Sequence, residues 1–98
     1  MKESFLELLR ESTSFFSMLQ EDNRQEIVSI LFEKGGMSVT EITKEMSLSR
    51  PAISHHLKLL LQSDLVYVEK SGKERIYHLN IDCVKKNVEG FMDLLNKL

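Results

Sequence analysis

The sequence predicts one mainly α-helical domain with a single small β-hairpin, in the order α-α-α-α-β-β-α. Three features carry that prediction. Residues 38–62 hold two closely spaced helix-start signals, and residues 65–79 hold two β-branched and aromatic runs. Long amphipathic segments occupy the two ends, about residues 3–19 and 81–98. A chain of 98 residues is one domain's worth, with room for one small core.

The first segment places Phe5, Leu8, Leu9, Ser12, Phe16 and Leu19 on one broad helical stripe, which Phe15 and Met18 widen beyond what a small core needs. Ser12-Thr13-Ser14 are mediocre helix formers, so a break is expected there. A second helix starts near Asp22, read as the N-cap with Gln25 three residues on, and carries Ile27, Ile30 and Leu31 at core spacing. Gly35-Gly36 ends it by supplying a left-handed conformation.

Ser38-Val39-Thr40-Glu41 then reads as a capping box, with Met37 and Ile42 at the positions of a hydrophobic staple. This helix is short, because Ser47-Leu48-Ser49 must turn the chain into the next one. In Ser49-Arg50-Pro51-Ala52-Ile53-Ser54-His55-His56-Leu57-Lys58-Leu59-Leu60, the residues Ile53, Leu57 and Leu60 form one buried stripe. Ser49 caps the start, and Pro51 near the helix start loses an amide that had no partner there. Pro51, Ser54, His55 and Lys58, with Arg50 in the first turn, face the other way, while His56 lies between Ile53 and Leu60 as a partly buried structural histidine. Alone, this segment reads equally well as an ordinary amphipathic surface helix. Two helices joined by three or four residues, the second polar on its outer face, form a helix-turn-helix, which favours a DNA-recognition helix.

Leu65-Val66-Tyr67-Val68-Glu69 and Arg75-Ile76-Tyr77-His78-Leu79 read as strands, with Lys70-Ser71-Gly72-Lys73-Glu74 as their hairpin loop. Beside a helix-turn-helix, a hairpin tipped with Lys70, Lys73 and Arg75 reads as a wing rather than a solvated turn. The last segment, capped by Asn80 or Asp82, carries Ile81, Val84, Val88, Phe91, Leu95 and Leu98 at the spacing helices use to pair.

Net charge is −2, yet the distribution is uneven. The first 45 residues carry a balance of −4, residues 46–79 carry +2 together with all three histidines, and the tail is neutral. The positive part is the segment that would meet DNA. No apolar run approaches the roughly 20 residues of a membrane span, and acidic residues follow Met1 too early for a secretory leader. A cytoplasmic location without a membrane partner is therefore expected.

In this order of elements the chain resembles the ArsR family of small prokaryotic winged-helix repressors. The most specific part is the run from Leu48 to Leu60, followed by Asp64-Leu65-Val66 and Arg75-Ile76-Tyr77; Glu21-Asp22-Asn23-Arg24 through Ile27 is also similar. The resemblance implies a homodimer built on the first and last helices that leaves DNA when an inducer binds. It puts Ser38, Val39 and Thr40 where metal-sensing members carry cysteines, and Ile81, Cys83, Leu94 and Lys97 where others bind zinc across the dimer. Neither metal site is preserved, so no metal and no cofactor are expected and the effector is unknown.

The expectation is a sequence-specific DNA-binding transcriptional regulator, a homodimeric repressor on double-stranded DNA with a pseudo-palindromic operator. Candidate DNA contacts are Ser49, Arg50, Pro51, Ser54, His55, Lys58, Lys73 and Arg75. Arg50 is a candidate for a bidentate pair with guanine, while Lys73 and Arg75 suit phosphate or the minor groove. Candidate dimer contacts are Phe5, Leu8, Leu9, Phe16, Val84, Val88, Phe91 and Leu95. Competing readings are a winged-helix protein-interaction module without DNA binding, and a redox-sensing regulator acting through Cys83. That residue, the only cysteine, excludes an intrachain disulfide and any cysteine-rich zinc motif. It also reads as a half-buried thiol at the dimer seam or as a metal ligand with His78 and Asp82. No Gly-rich phosphate loop and no nucleophile elbow is present, so an enzyme is not expected.

Overall fold

The computed structural model describes residues 2–97. Five helices and one antiparallel hairpin follow in order: α1 (Lys2–Ser17), α2 (Asp22–Lys34), α3 (Val39–Glu45), α4 (Arg50–Gln62), β1 (Val66–Ser71), β2 (Glu74–Leu79) and α5 (Ile81–Asn96). Leu98, assigned to the apolar seam of the last segment, lies outside the described residues. None of the described helices is long and apolar enough to cross a membrane.

The core is built where α2, α3, α4 and the hairpin meet. Ile27, Leu31, Ile42, Ile53, Leu57, Leu60, Leu65 and Val66 are all but inaccessible to solvent. Each such aliphatic side chain contributes roughly 1.5–3 kcal/mol relative to exposure. α1 runs unbroken through Ser12-Thr13-Ser14, contrary to the break expected there. Thr13 Oγ1 donates to the Leu9 carbonyl at 2.7 Å and Ser17 Oγ to that of Ser14 at 2.8 Å, so these hydroxyls bond within the helix instead of competing with it. The helix ends at Ser17, two residues before the expected Leu19. Within its stripe Phe15, at 5% exposure, enters the core, whereas the neighbouring Phe16 is 50% exposed.

α2 is capped by Glu21 rather than Asp22: the Glu21 carboxylate accepts from the Arg24 amide at 3.0 Å, and Asp22 is the first helical residue. The first turn of α2 also pins the preceding loop, because Arg24 Nε donates to the Met18 carbonyl at 2.7 Å and Gln25 Nε2 to that of Leu19 at 2.6 Å. At the other end Gly35 takes φ +81° and returns its amide to Leu31 at 3.0 Å. Gly36 has a different task. A Cβ there would collide with the His78 ring and lie 2.9 Å from Ile76 Cγ2, so only glycine lets the chain pass this close to β2.

That passage delivers Met37 to β2. Its amide donates to the Tyr77 carbonyl at 3.0 Å and its carbonyl accepts from the Tyr77 amide at 2.8 Å, a two-residue bridge that fastens the hairpin to the α2–α3 corner. The hairpin is tighter than the five-residue loop expected, since pairing continues to Ser71 and Glu74 and leaves only Gly72 and Lys73 in the turn. Gly72 has φ +62° at the first central position, which suits a two-residue hairpin.

α4 closes with an arrangement the sequence reading did not anticipate. Asp64 sits at φ +61° just past the Ser63 cap, the Leu65 amide reaches back to Leu60 at 3.0 Å, and that of Asp64 reaches Leu61 at 3.1 Å. This is a Schellman closure with aspartate in the position glycine usually takes. It turns the chain directly into β1.

Gly36→Ala is expected to lower stability by about 1–3 kcal/mol through forced displacement of the His78 and Ile76 side chains. Denaturant titration of the variant against the parent chain measures it; an unchanged midpoint would contradict the close approach.

Candidate nucleic-acid interface

The two central helices are positioned by matched end chemistry. Ser38 Oγ accepts from the Glu41 amide at 3.2 Å while the Glu41 carboxylate accepts from the Ser38 amide at 3.1 Å, so the capping box is complete. Ser49 Oγ accepts from the Ala52 amide at 3.3 Å and starts α4, with Pro51 in its first turn. Between the helices Leu48 is partly buried against the core. Ile53, Leu57 and Leu60 hold α4 down along one side, so its other side is presented to solvent in a fixed orientation.

That outer side carries the candidates together. Ser49, Arg50, Pro51, Ser54, His55 and Lys58 are all exposed, as are Lys70, Lys73 and Arg75 of the hairpin. His56 turns inward with only 14% of its side chain exposed; its Nδ1 lies 3.8 Å from the Glu21 carboxylate and has no hydrogen-bond partner among the described residues.

α3, α4 and the hairpin enclose a cleft of about 340 Å³ whose walls include Thr40, Arg50, Lys73, Glu74 and Arg75. Arg50 leans into this cleft from the first turn of α4, and its Nη1 donates to Thr40 Oγ1 at 2.6 Å. Thr40 and Glu74 are among the cleft residues that carry no site assignment from the sequence alone. From the sequence, Thr40 reads as part of the capping box and as a position lacking a thiol, and Glu74 as part of the hairpin loop. The capping box was the available signal for Thr40, since it fixes the start of α3 and hence the side chains of its first turn.

Away from this surface, α1 and α5 pack on each other, with the Phe5 and Phe91 rings 6.3 Å apart. Of the candidate dimer contacts, Phe5, Leu8, Val84 and Phe91 are half-buried within the chain itself, whereas Leu9, Phe16, Val88 and Leu95 are exposed. Met92 and Leu6 join that apolar surface at 50% and 46% exposure. A helical face of this kind on a small domain is larger than isolated exposed residues would leave.

Asn80, not Asp82, caps α5, accepting from the Cys83 amide at 3.2 Å. Cys83 is half-buried. Burial first, and the nearby Asp64 carboxylate second, push its thiol above the ordinary value, while the Asn87 amide and Lys86 work in the opposite direction. His78 is directed elsewhere, its ring stacked on Tyr67 at 5.0 Å. Among the described residues no three His, Cys, Asp or Glu side chains gather in a group able to hold a metal ion.

Residues 21–68 match the sequence model of a family described as "Bacterial regulatory protein, arsR family". The chain is 34% identical over 80 residues to the arsenical resistance operon repressor of Bacillus subtilis (strain 168), covering 82% of this chain and 76% of that protein. It is 29% identical over 83 residues to the transcriptional repressor SdpR of the same organism, covering 84% of this chain and 90% of that protein. Among solved structures it is similar to an ArsR-like transcriptional regulator from Rhodococcus sp. RHA1, with a TM-score of 0.82, 26% identity, and coverage of 91% of this chain and 83% of that one.

A raised thiol pKa means less thiolate at any given pH. Alkylation of Cys83 by iodoacetamide at pH 8 is therefore expected to run several-fold slower than that of a free cysteine, and to keep accelerating at higher pH. A rate equal to the free amino acid's would show that burial does not protect the thiol.

Proposed function

The chain belongs to the ArsR family of bacterial regulatory proteins, and on that premise we propose that this DNA-binding transcriptional regulator acts as a homodimeric repressor that leaves its operator on receipt of a signal. One observation carries the reading: the exposed polar face of α4 lies beside a hairpin bearing Lys73 and Arg75, all on one side of the molecule. Inserted into a major groove, α4 brings Ser54, His55 and Lys58 within reach of base edges and backbone, while the hairpin cations meet phosphate.

The uncovered apolar surface of α1 and α5 supports the dimer. A second copy placed there would hide Leu9, Phe16, Val88 and Leu95, and would present two α4 helices to successive major grooves roughly 34 Å apart. A signal then acts by favouring one of two dimer geometries that space those helices differently.

Selection of bound sequences from random duplex DNA is expected to return a pseudo-palindromic site; recovery of unrelated sequences would overturn the reading. With about four phosphates neutralised per subunit, the log–log dependence of affinity on salt has a slope near −7. Lys58→Ala weakens binding by about tenfold or more if it contributes one good contact in each subunit, and an unchanged affinity would remove α4 from the interface. For the dimer, Val88→Glu combined with Leu95→Glu is expected to sediment as a monomer of 11.4 kDa. A variant that sediments as the parent chain does would place the subunit contact elsewhere.

A further inference from the structure

We propose that Arg50 grips the DNA backbone instead of reading a base, and that Thr40 is the residue that positions it for that task. The inference rests on the DNA-binding reading above and assigns a division of labour within the same surface.

Arginine in the first turn of a recognition helix is well placed for a bidentate pair with guanine, which needs one edge of its planar donor fork aimed at O6 and N7. Here the fork is engaged sideways. Nη1 donates to Thr40 Oγ1 at 2.6 Å, so the guanidinium leans off α4 towards the first turn of α3. In that position it shares the cleft with Lys73 and Arg75 of the hairpin. Three cationic side chains against the single Glu74 carboxylate leave a net positive cleft walled on two sides.

That chemistry fits a phosphate. A tetrahedral oxyanion accepts several charge-assisted hydrogen bonds from different directions, and a sugar–phosphate ridge can enter between a helix start and a hairpin. A base edge at the groove floor offers acceptors from one direction only, and is shielded from a hairpin by the backbone on either side. The side chains left to face the groove floor are Ser54 and His55, about 6 Å further along α4, and Lys58 about 12 Å along. All three are exposed on its outer side. Sequence discrimination therefore falls to them, and affinity to the Arg50 cleft.

Thr40 contributes without touching a base. Its hydroxyl holds a long, mobile side chain in the binding orientation before DNA arrives, which reduces the rotamer freedom lost on contact. Thr40 is itself exposed, so its replacement does not disturb the core.

The test uses the full chain and its selected operator, comparing Arg50→Ala, Thr40→Val and Thr40→Ser for affinity, salt slope and the base-preference matrix obtained by selection from random DNA. Arg50→Ala is expected to weaken operator and non-operator duplex alike, to reduce the salt slope by roughly 2 (one phosphate in each subunit), and to leave the matrix unchanged. Thr40→Val lowers affinity several-fold with the same matrix, and Thr40→Ser restores it. Loss of preference at one operator position in Arg50→Ala, or an unaltered salt slope, overturns the proposal while leaving the regulator reading intact. A Thr40→Val variant indistinguishable from the parent chain overturns the positioning role. Failure of the parent chain to prefer any sequence overturns the regulator reading, and this assignment with it.

Discussion

The candidate interface depends on one pair of backbone hydrogen bonds, those exchanged by Met37 and Tyr77. A two-stranded hairpin alone is marginally stable in water. Here it is tied to the corner between α2 and α3, with the Met37 and Tyr77 side chains buried beneath the tie. Gly36 makes the approach possible by offering no side chain to His78 and Ile76. Because the same corner begins α3, the cap that starts the helix pair and the bridge that anchors the hairpin are adjacent in the chain. The position of Lys73 and Arg75 relative to α4 is thereby determined by the backbone rather than by flexible side chains.

Electrostatics on this surface is a local matter. The whole chain is net negative, yet the Debye length at physiological salt is only about 8 Å. A phosphate in the α3–α4–hairpin cleft therefore senses Arg50, Lys73 and Arg75 far more than the carboxylates of α1 and α2. The long-range field of a −2 chain works against approach to DNA. In the proposed binding mode, what favours binding is the short-range arrangement, with the counterions it displaces.

The opposite end of the molecule has a different character. The radius of gyration is 15.2 Å, against about 13 Å for a spherical domain of this size. α1 and α5 account for the elongation: they pack on each other and contribute little to the central core. α5 has no fully buried residue, although it is amphipathic along its length. Such a helix leaves an apolar face uncovered within the chain, the surface on which the proposed dimer rests.

Much of this architecture was legible in the sequence, because the signals are local. A serine followed three residues later by glutamate defines a helix start whatever surrounds it, and the Ile53, Leu57, Leu60 stripe separates buried from exposed on α4 without reference to other elements. Local rules failed where two solutions were locally equivalent. Ser12-Thr13-Ser14 suit either a break or a continuous helix, and packing of α1 on α5 favours the helix. Glu21 and Asp22 both accept amides, and Phe15 and Phe16 both fit an apolar stripe. The meeting of Thr40 with Arg50, and of Gly36 with His78, had no sequence signature. Those partners come from separate elements, and only the packing of α3 on α4 and of the hairpin on the α2–α3 corner brings them together. Thus the order of residues determined which faces are polar, which are apolar and where α3 and α4 begin. The tertiary structure alone decided which polar side chains share a cleft, since that depends on distances between elements rather than on spacing along the chain.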